Sequence, residues 1–325
     1  MTRDILMLKG ARTIVQTLTG VKPGEKVLVL CDYGTVQVGK VLCSAIEFAE
    51  ARPFLLAMPP ARVHGEELPA IVASAMKEAD AIIAPTRFNI SHTKARFEAQ
   101  RAGARVTILP EADDDILLHE GLSADFVAIR PKIERLAELL TKAGTAHLTS
   151  RLGTDFTVSL EGRRGRALTG FANTEHVAAA HCLEASIAPV EGTGNGVLIC
   201  DGSIPGVGLV DEPVKVTFAH GYAVNIEGEG RIARAFRELL ASLNDKEIYN
   251  VAELGIGMNP KCKLENSMLS DEGVAGSIHV ALGTNAYMGG RVVAAGHYDM
   301  VVMNPTLELD GEAVIHQGEL KLDMD

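Results

Sequence analysis

The sequence is poor in aromatic and in basic residues. Only 4% of its 325 residues are Phe, Trp or Tyr, and Trp is absent. A surface that stacks nucleobases or sugars on aromatic rings is therefore not expected. Lys and Arg number 31 against 42 acidic residues, a formal net charge of −11. That balance argues against general affinity for nucleic acid, which needs cations to neutralise phosphates, but leaves room for a local basic pocket. No apolar run approaches the roughly 20 residues a membrane helix needs. Met1 to Gly10 has mixed charge and no apolar signal core, so no membrane partner and a cytoplasmic location are expected.

Other absences narrow the chemistry. The five cysteines (Cys31, Cys43, Cys182, Cys200, Cys262) are scattered and form no CxxC, as suits buried, reduced thiols in a cytosolic protein. The first strand-like run is followed by Asp32-Tyr33-Gly34-Thr35-Val36, with a single Gly. Neither GxGxxG nor GxxxxGK[ST] is present, which disfavours a dinucleotide or nucleoside-triphosphate domain. No GxSxG follows a strand, which disfavours a serine hydrolase.

What is present falls into two grammars. Val27–Cys31 reads as a buried strand after the Pro23-Gly24 turn, and Val36–Ala49 as a helix. Strand-like Pro53–Met58, Ala81–Ala84 and Arg105–Leu109 alternate with helical Ala70–Lys77 and Lys94–Ala102. That rhythm implies a doubly wound parallel sheet, an α/β domain over residues 1–145. Residues 146–325 change period. Short strands such as Phe156–Leu160, Val214–Phe218, Glu253–Gly257, Ile278–Gly283 and His297–Met303 lie between Gly and Pro clusters, with one helix at Gly230–Leu243. An α+β, strand-rich C-terminal metal-binding domain is expected there.

The chemistry concentrates in this second part. In His297-Tyr298-Asp299 the first and third side chains share one face of a strand, giving an imidazole and a carboxylate to one point. The bland alternative is a structural His beside an exposed Asp. His279 stands inside an apolar strand, Glu253 stands between apolar residues flanked by Gly, and Glu184 follows Cys182 in a third such run. A buried carboxylate needs a cation, a metal or a hydrogen-bond network. Elsewhere, His176 and His181 read as a surface or core pair, Asp113–Asp115 as a solvated turn, and Arg163, Arg164 and Arg166 as an exposed loop able to attract an anion. Gly192–Gly196 reads as a tight turn.

Five of these motifs, in order, resemble the aminopeptidase T family of metallopeptidases: Glu184 in EASIAPVEGTGNG, Glu253 in AELGIGMNP, His279 in IHVALG, then Tyr287, then HYD at 297–299. The likeness runs from Arg151-Leu152-Gly153-Thr154-Asp155 to the end of the chain. It implies Glu184, Glu253, His279, His297 and Asp299 as ligands of one or two divalent ions (Zn, Co, Mn or Fe), with Tyr287 supporting the reacting oxygen. It also implies a homodimer. The chain is shorter than those peptidases, and Tyr287 lies about one residue off its usual offset. A short branch of the same fold, the 2,5-dihydroxypyridine dioxygenases with a single Fe(II), is resembled by Ile90-Ser91-His92-Thr93-Lys94. There a His from the first domain serves as acid or base, a role that would fall to His92. The bland alternative puts His92 in an exposed helix cap.

The expectation is a metalloenzyme that cleaves an amide or peptide bond of a small substrate with metal-activated water. The alternative is Fe(II)-dependent ring cleavage of a hydroxylated N-heterocycle such as 2,5-dihydroxypyridine. A third possibility is a binding protein that kept the fold and lost the metal.

Overall fold

The computed structural model describes residues 3–322. The chain forms two compact units. One comprises the residues up to Phe126 together with Gly170–His181; the other comprises Val127–Thr169 and everything from Cys182 onward. The expected single boundary near residue 145 is thus replaced by an exchange: helix α5 (Phe126–Lys142) belongs almost wholly to the second unit, and residues 170–181 return to the first.

The first unit is α/β. Its sheet has the order β2-β1-β3-β4-β8, with β1 (Lys26–Asp32), β2 (Arg52–Met58), β3 (Ala81–Pro85), β4 (Arg105–Leu109) and β8 (Ala178–Ala179), all parallel. Helices α1 (Arg3–Arg12), α2 (Val36–Phe48), α3 (Ala70–Lys77) and α4 (Lys94–Arg101) accompany it. Strand β3 is buried along its whole length, as expected for a parallel strand covered on both faces. Leu28, Leu30, Ile82, Ala84, Val106 and Ile108 form a core with Val72 and Met76 from α3 and Ala95 and Ala99 from α4.

The second unit is built mainly of antiparallel strands. An eight-stranded sheet has the order β14-β13-β10-β6-β5-β18-β19-β20. It contains β5 (Thr145–Thr149), β6 (Asp155–Ser159), β10 (Asn195–Cys200), β13 (Val214–Ala219), β14 (Tyr222–Glu227), β18 (Thr306–Leu309), β19 (Glu312–His316) and β20 (Glu319–Leu320). A small ribbon pairs β11 (Ser203–Ile204) with β12 (Gly208–Leu209). The remaining sheet, β17-β16-β15-β9-β7, carries the chemistry; its strands are β7 (Arg166–Leu168), β9 (Glu184–Ile187), β15 (Val251–Gly257), β16 (Ile278–Gly283) and β17 (His297–Val302). Helices α6 (Arg231–Ser242) and α7 (Met268–Asp271) complete the unit. The two larger sheets are tied by Met303 N donating to Asp201 Oδ1 (2.8 Å) and Gly202 N donating to Val301 O (3.0 Å). Among the described residues no helix is long and apolar enough to cross a membrane.

Candidate metal centre

Strand register explains how distant residues meet. Directly opposed residues on neighbouring strands point to the same face. Glu253 lies opposite Ala281, which lies opposite Asp299. Ser186 lies opposite Gly255, which lies opposite His279. Gly283 lies opposite His297, and Gly257 opposite Glu184. All five expected ligands therefore project from one face, with Ala or Gly in the places between them. A bulge between Val251 and Glu253 sets the Glu253 register, a device that re-aims a side chain within a sheet. At Gly255 the space is taken by the neighbour's ring: a Cβ there would stand 1.9 Å from His279 Nε2.

The side chains converge. His279 Nε2 is 3.3 Å from Glu184 Oε2, and His297 Nε2 is 3.0 Å from Glu253 Oε2 and 3.6 Å from Asp299 Oδ2. Three overlapping sets have all their ligand atoms within 4.8 Å of one another: Glu184, Glu253 and His279; Glu253, His297 and Asp299; and Cys182, Glu184 and Glu272. Glu184 and Glu253 each belong to two sets.

The donors fit a divalent cation. Four carboxylates face two imidazoles, and β15 and β16 are buried throughout. His279 Nδ1 and Asp299 Oδ1 are buried without a partner, although such atoms rarely stay unpaired. Protons stand in for a cation in the metal-free cluster. Burial and the charges of Asp299, Glu184 and Glu253 push the Glu272 carboxyl well above the carboxylate range. Burial alone would lower His279, but its hydrogen bond with Glu184 and the nearby carboxylates lift it to about 9. Burial alone would raise Asp299, but His297 draws it down to about 2. Metal binding displaces such protons.

His297 is also oriented from behind. Its Nδ1 lies 2.9 Å from Thr284 O, so Nδ1–H donates and Nε2 faces the cluster, the arrangement common to metal-bound histidines. Thr284 opens the Thr284–Gly296 loop, which Glu191 holds through Asn285 Nδ2 (3.1 Å) and Arg291 N (2.7 Å). Arg163 pairs with Glu191 and donates to Gly289 O. Arg163 is therefore not the exposed loop residue expected; only 12% of its side chain is exposed, because the loop needs a counter-ion for Glu191. Arg166 likewise begins strand β7.

Tyr287 sits in the same loop, its ring 5.7 Å from that of His297. Although the residue is 37% exposed, desolvation of the phenol and the charges of Glu253 and Asp299 push it above its usual range. His92 belongs to the first unit, exposed, just before α4. Thr93 is the residue that caps α4, accepting from Arg96 N (3.3 Å). His181 is buried and stacks on His119 at 3.9 Å between ring centroids.

Sequence reasoning missed Glu272 and Cys182. Cys182 reads as an ordinary core thiol. Glu272 lies in no strand, and its only sequence signal is its position at the end of Ser270-Asp271-Glu272-Gly273, seven residues before His279.

Comparisons with known proteins agree with this architecture. A 2,5-dihydroxypyridine 5,6-dioxygenase from Pseudomonas putida is 25% identical over 198 residues. The match covers 56% of this chain and 55% of that protein, so the chain spans about half the length of the curated relative it matches. The solved structure of a 2,5-dihydroxypyridine dioxygenase from Pseudomonas putida superposes with a TM-score of 0.79 at 19% identity, covering 98% of this chain and 97% of that one. Wild-type AmpT from Thermus thermophilus superposes with a TM-score of 0.70 at 16% identity, covering 99% and 100%. These two likenesses establish the fold. The family model for NicX, 2,5-dihydroxypyridine 5,6-dioxygenase, matches residues 11–322, and the chain belongs to that family.

Proposed function

We propose that the protein is an iron-dependent dioxygenase that opens the ring of a hydroxylated N-heterocycle of the 2,5-dihydroxypyridine class. The observation that carries this reading is the family match over residues 11–322. The donor set supports it: Glu253 shares one three-ligand set with His279 and another with His297, a composition that includes two imidazoles and a carboxylate. The ligands we assign are Glu184, Glu253, His279, His297 and Asp299. Iron(II) held by three of these groups, two imidazoles and a carboxylate, would keep positions open for the substrate oxygen and for dioxygen.

The chain's own groups account for the rest. Thr284 O fixes the His297 tautomer. Tyr287, kept un-ionised by its surroundings, donates a hydrogen bond to the substrate oxygen. We assign His92 the role of base toward the ring hydroxyl. A small aromatic molecule is the partner, the protein is cytoplasmic, and the working form is a homodimer.

A second reading rests on a separate observation. Glu184 and Glu253 each serve two ligand sets, which suits two bridged ions and hydrolysis of an amide by activated water. An oxygen electrode separates the two. Protein loaded anaerobically with Fe(II) is expected to take up one dioxygen per 2,5-dihydroxypyridine consumed. His92→Asn is expected to lower kcat by about 10²–10⁴, the usual contribution of a general base, with the melting temperature unchanged. No oxygen uptake, together with metal-dependent cleavage of an amide under argon, would replace the first reading by the second.

A further inference from the structure

Strand β7 brings a cation to the acidic face. Arg166 lies opposite Ser186, in the row that continues through Gly255 to His279. Opposed residues share a face, so Arg166 projects on the side of the sheet that carries the candidate ligands. Its guanidinium carbon is 6.0 Å from the Tyr287 ring centroid, and that ring neighbours His297.

Arg166 is half-buried, yet among the described residues no carboxylate pairs with its guanidinium. Arg163, three residues earlier, shows the contrast, since it holds Glu191 and Gly289 O. The nearby carboxylates are engaged elsewhere: Glu184 faces His279 and Glu253 faces His297. Ser186, opposite Arg166, is fully buried and its hydroxyl is also without a partner. A guanidinium has five N–H donors, and burying such a group without acceptors is costly. The guanidinium fork is matched by a planar anion, since a carboxylate accepts two parallel hydrogen bonds from it. An anion entering a site of four carboxylates also needs a cation at its rim.

We propose that Arg166 is a specificity-determining residue that receives a carboxylate substituent on the substrate, so that the preferred substrate is a carboxylated aromatic N-heterocycle. The ring in this statement rests on the function proposed above; the carboxylate does not. A competing role for Arg166, general neutralisation of the acidic cluster, predicts that Arg166→Lys, which keeps the charge, binds both ligands as wild type does.

The test is calorimetric binding of isonicotinate and isonicotinamide to the Zn(II)-loaded protein. The two share ring, nitrogen and shape and differ in charge. Wild type is expected to bind isonicotinate at least tenfold more tightly. Arg166→Met is expected to lose that preference through weaker isonicotinate binding, with isonicotinamide unchanged. Arg166→Lys, which keeps the charge and loses the fork, is expected to fall between. Equal binding of the two ligands by wild type, binding of neither, or an equal loss of both in Arg166→Met would overturn the proposal. Because Zn(II) itself attracts a carboxylate, the variants decide, and Arg166→Lys carries the test if Arg166→Met fails to fold. A carboxylate preference without oxygen uptake would remove the ring-cleavage reading and leave Arg166 its role; oxygen uptake without the preference would do the reverse.

Discussion

Strand β3 of the first unit's parallel sheet and strands β15 and β16 of the second unit's site-bearing sheet are buried to the same degree and filled differently. Every residue of β3 is buried, and so is every residue of β15 and β16. The interior of β3 is Ile82-Ile83-Ala84, and its stability comes from apolar area removed from water, about 25 cal/mol per Å². Strands β15 and β16 place Glu253 and His279 in equal burial, where an unpaired charge costs several kcal/mol. Their burial is tolerable because Glu184, Glu253, His279, His297 and Asp299 meet one another. One sheet is a core in the ordinary sense, and the other has given up core packing on one face to concentrate polar groups.

The largest expected effect separates these two uses of burial. Ile82→Ala should cost about 2–5 kcal/mol of stability, the range for a large core side chain, while the folded fraction keeps its metal. Glu253→Ala should abolish metal retention and activity, because Glu253 serves both the His279 and the His297 sets. Metal content after dialysis and thermal melts read both arms. Full metal content in Glu253→Ala would break the comparison and leave the ion to His279, His297 and Asp299.

A smaller effect is expected at two glycines. In α2, a Cβ at Gly39 would meet Cys31 Sγ at 2.4 Å and Leu55 Cδ1 at 2.8 Å. Gly39→Ala should cost about 1–3 kcal/mol, as overpacking does, without touching metal affinity. In β15, a Cβ at Gly255 would meet His279 Nε2. Gly255→Ala must move that ring, and displacing a ligand's support typically weakens metal binding by about 10–100-fold. Chelator competition on the two variants checks the contrast; equal affinities would show that the His279 ring is free to relocate.

The same contrast governs what the sequence could disclose. The parallel unit is legible because β1 and β3 are built on continuous apolar runs and α3 keeps its helical period; Ala70–Lys77 is recovered to the residue. The HYD triplet is legible because two side chains two apart on a strand need only local geometry. The misses are non-local or short. Strand β8 has two residues, too few to show a period, so the return of residues 170–181 to the first unit left no trace. Helix α1 buries only Met7, Gly10 and Ala11 among its residues, too little for an amphipathic stripe. Glu272 reaches the cluster from outside any strand, and His181 finds His119 across 62 positions of chain. The ligand set itself needed the family resemblance, since spacing alone left a shared metal open.

A further expected effect is a pair of pH dependences of opposite sign in the metal-free protein. In the first unit, burial and then the neighbouring His119 hold His181 down at about 3, below the ordinary histidine value near 6.5. Its folded pKa is depressed, so its contribution to stability is present above about pH 6.5 and is lost as pH falls toward 3. In the second unit His279 is raised to about 9. Its contribution is present below about pH 6.5 and is lost as pH rises through 9. Melting temperature against pH, measured after chelator treatment, should therefore decline at both ends for different reasons. His181→Gln should flatten the acid decline between pH 6.5 and 3, and His279→Gln the alkaline decline between 6.5 and 9. Added divalent metal should erase the alkaline decline alone, since the cation takes over from the proton on His279 and gains affinity as pH rises. An alkaline decline that survives both His279→Gln and metal would mean that the buried imidazole is not what the carboxylates of the second unit hold in place.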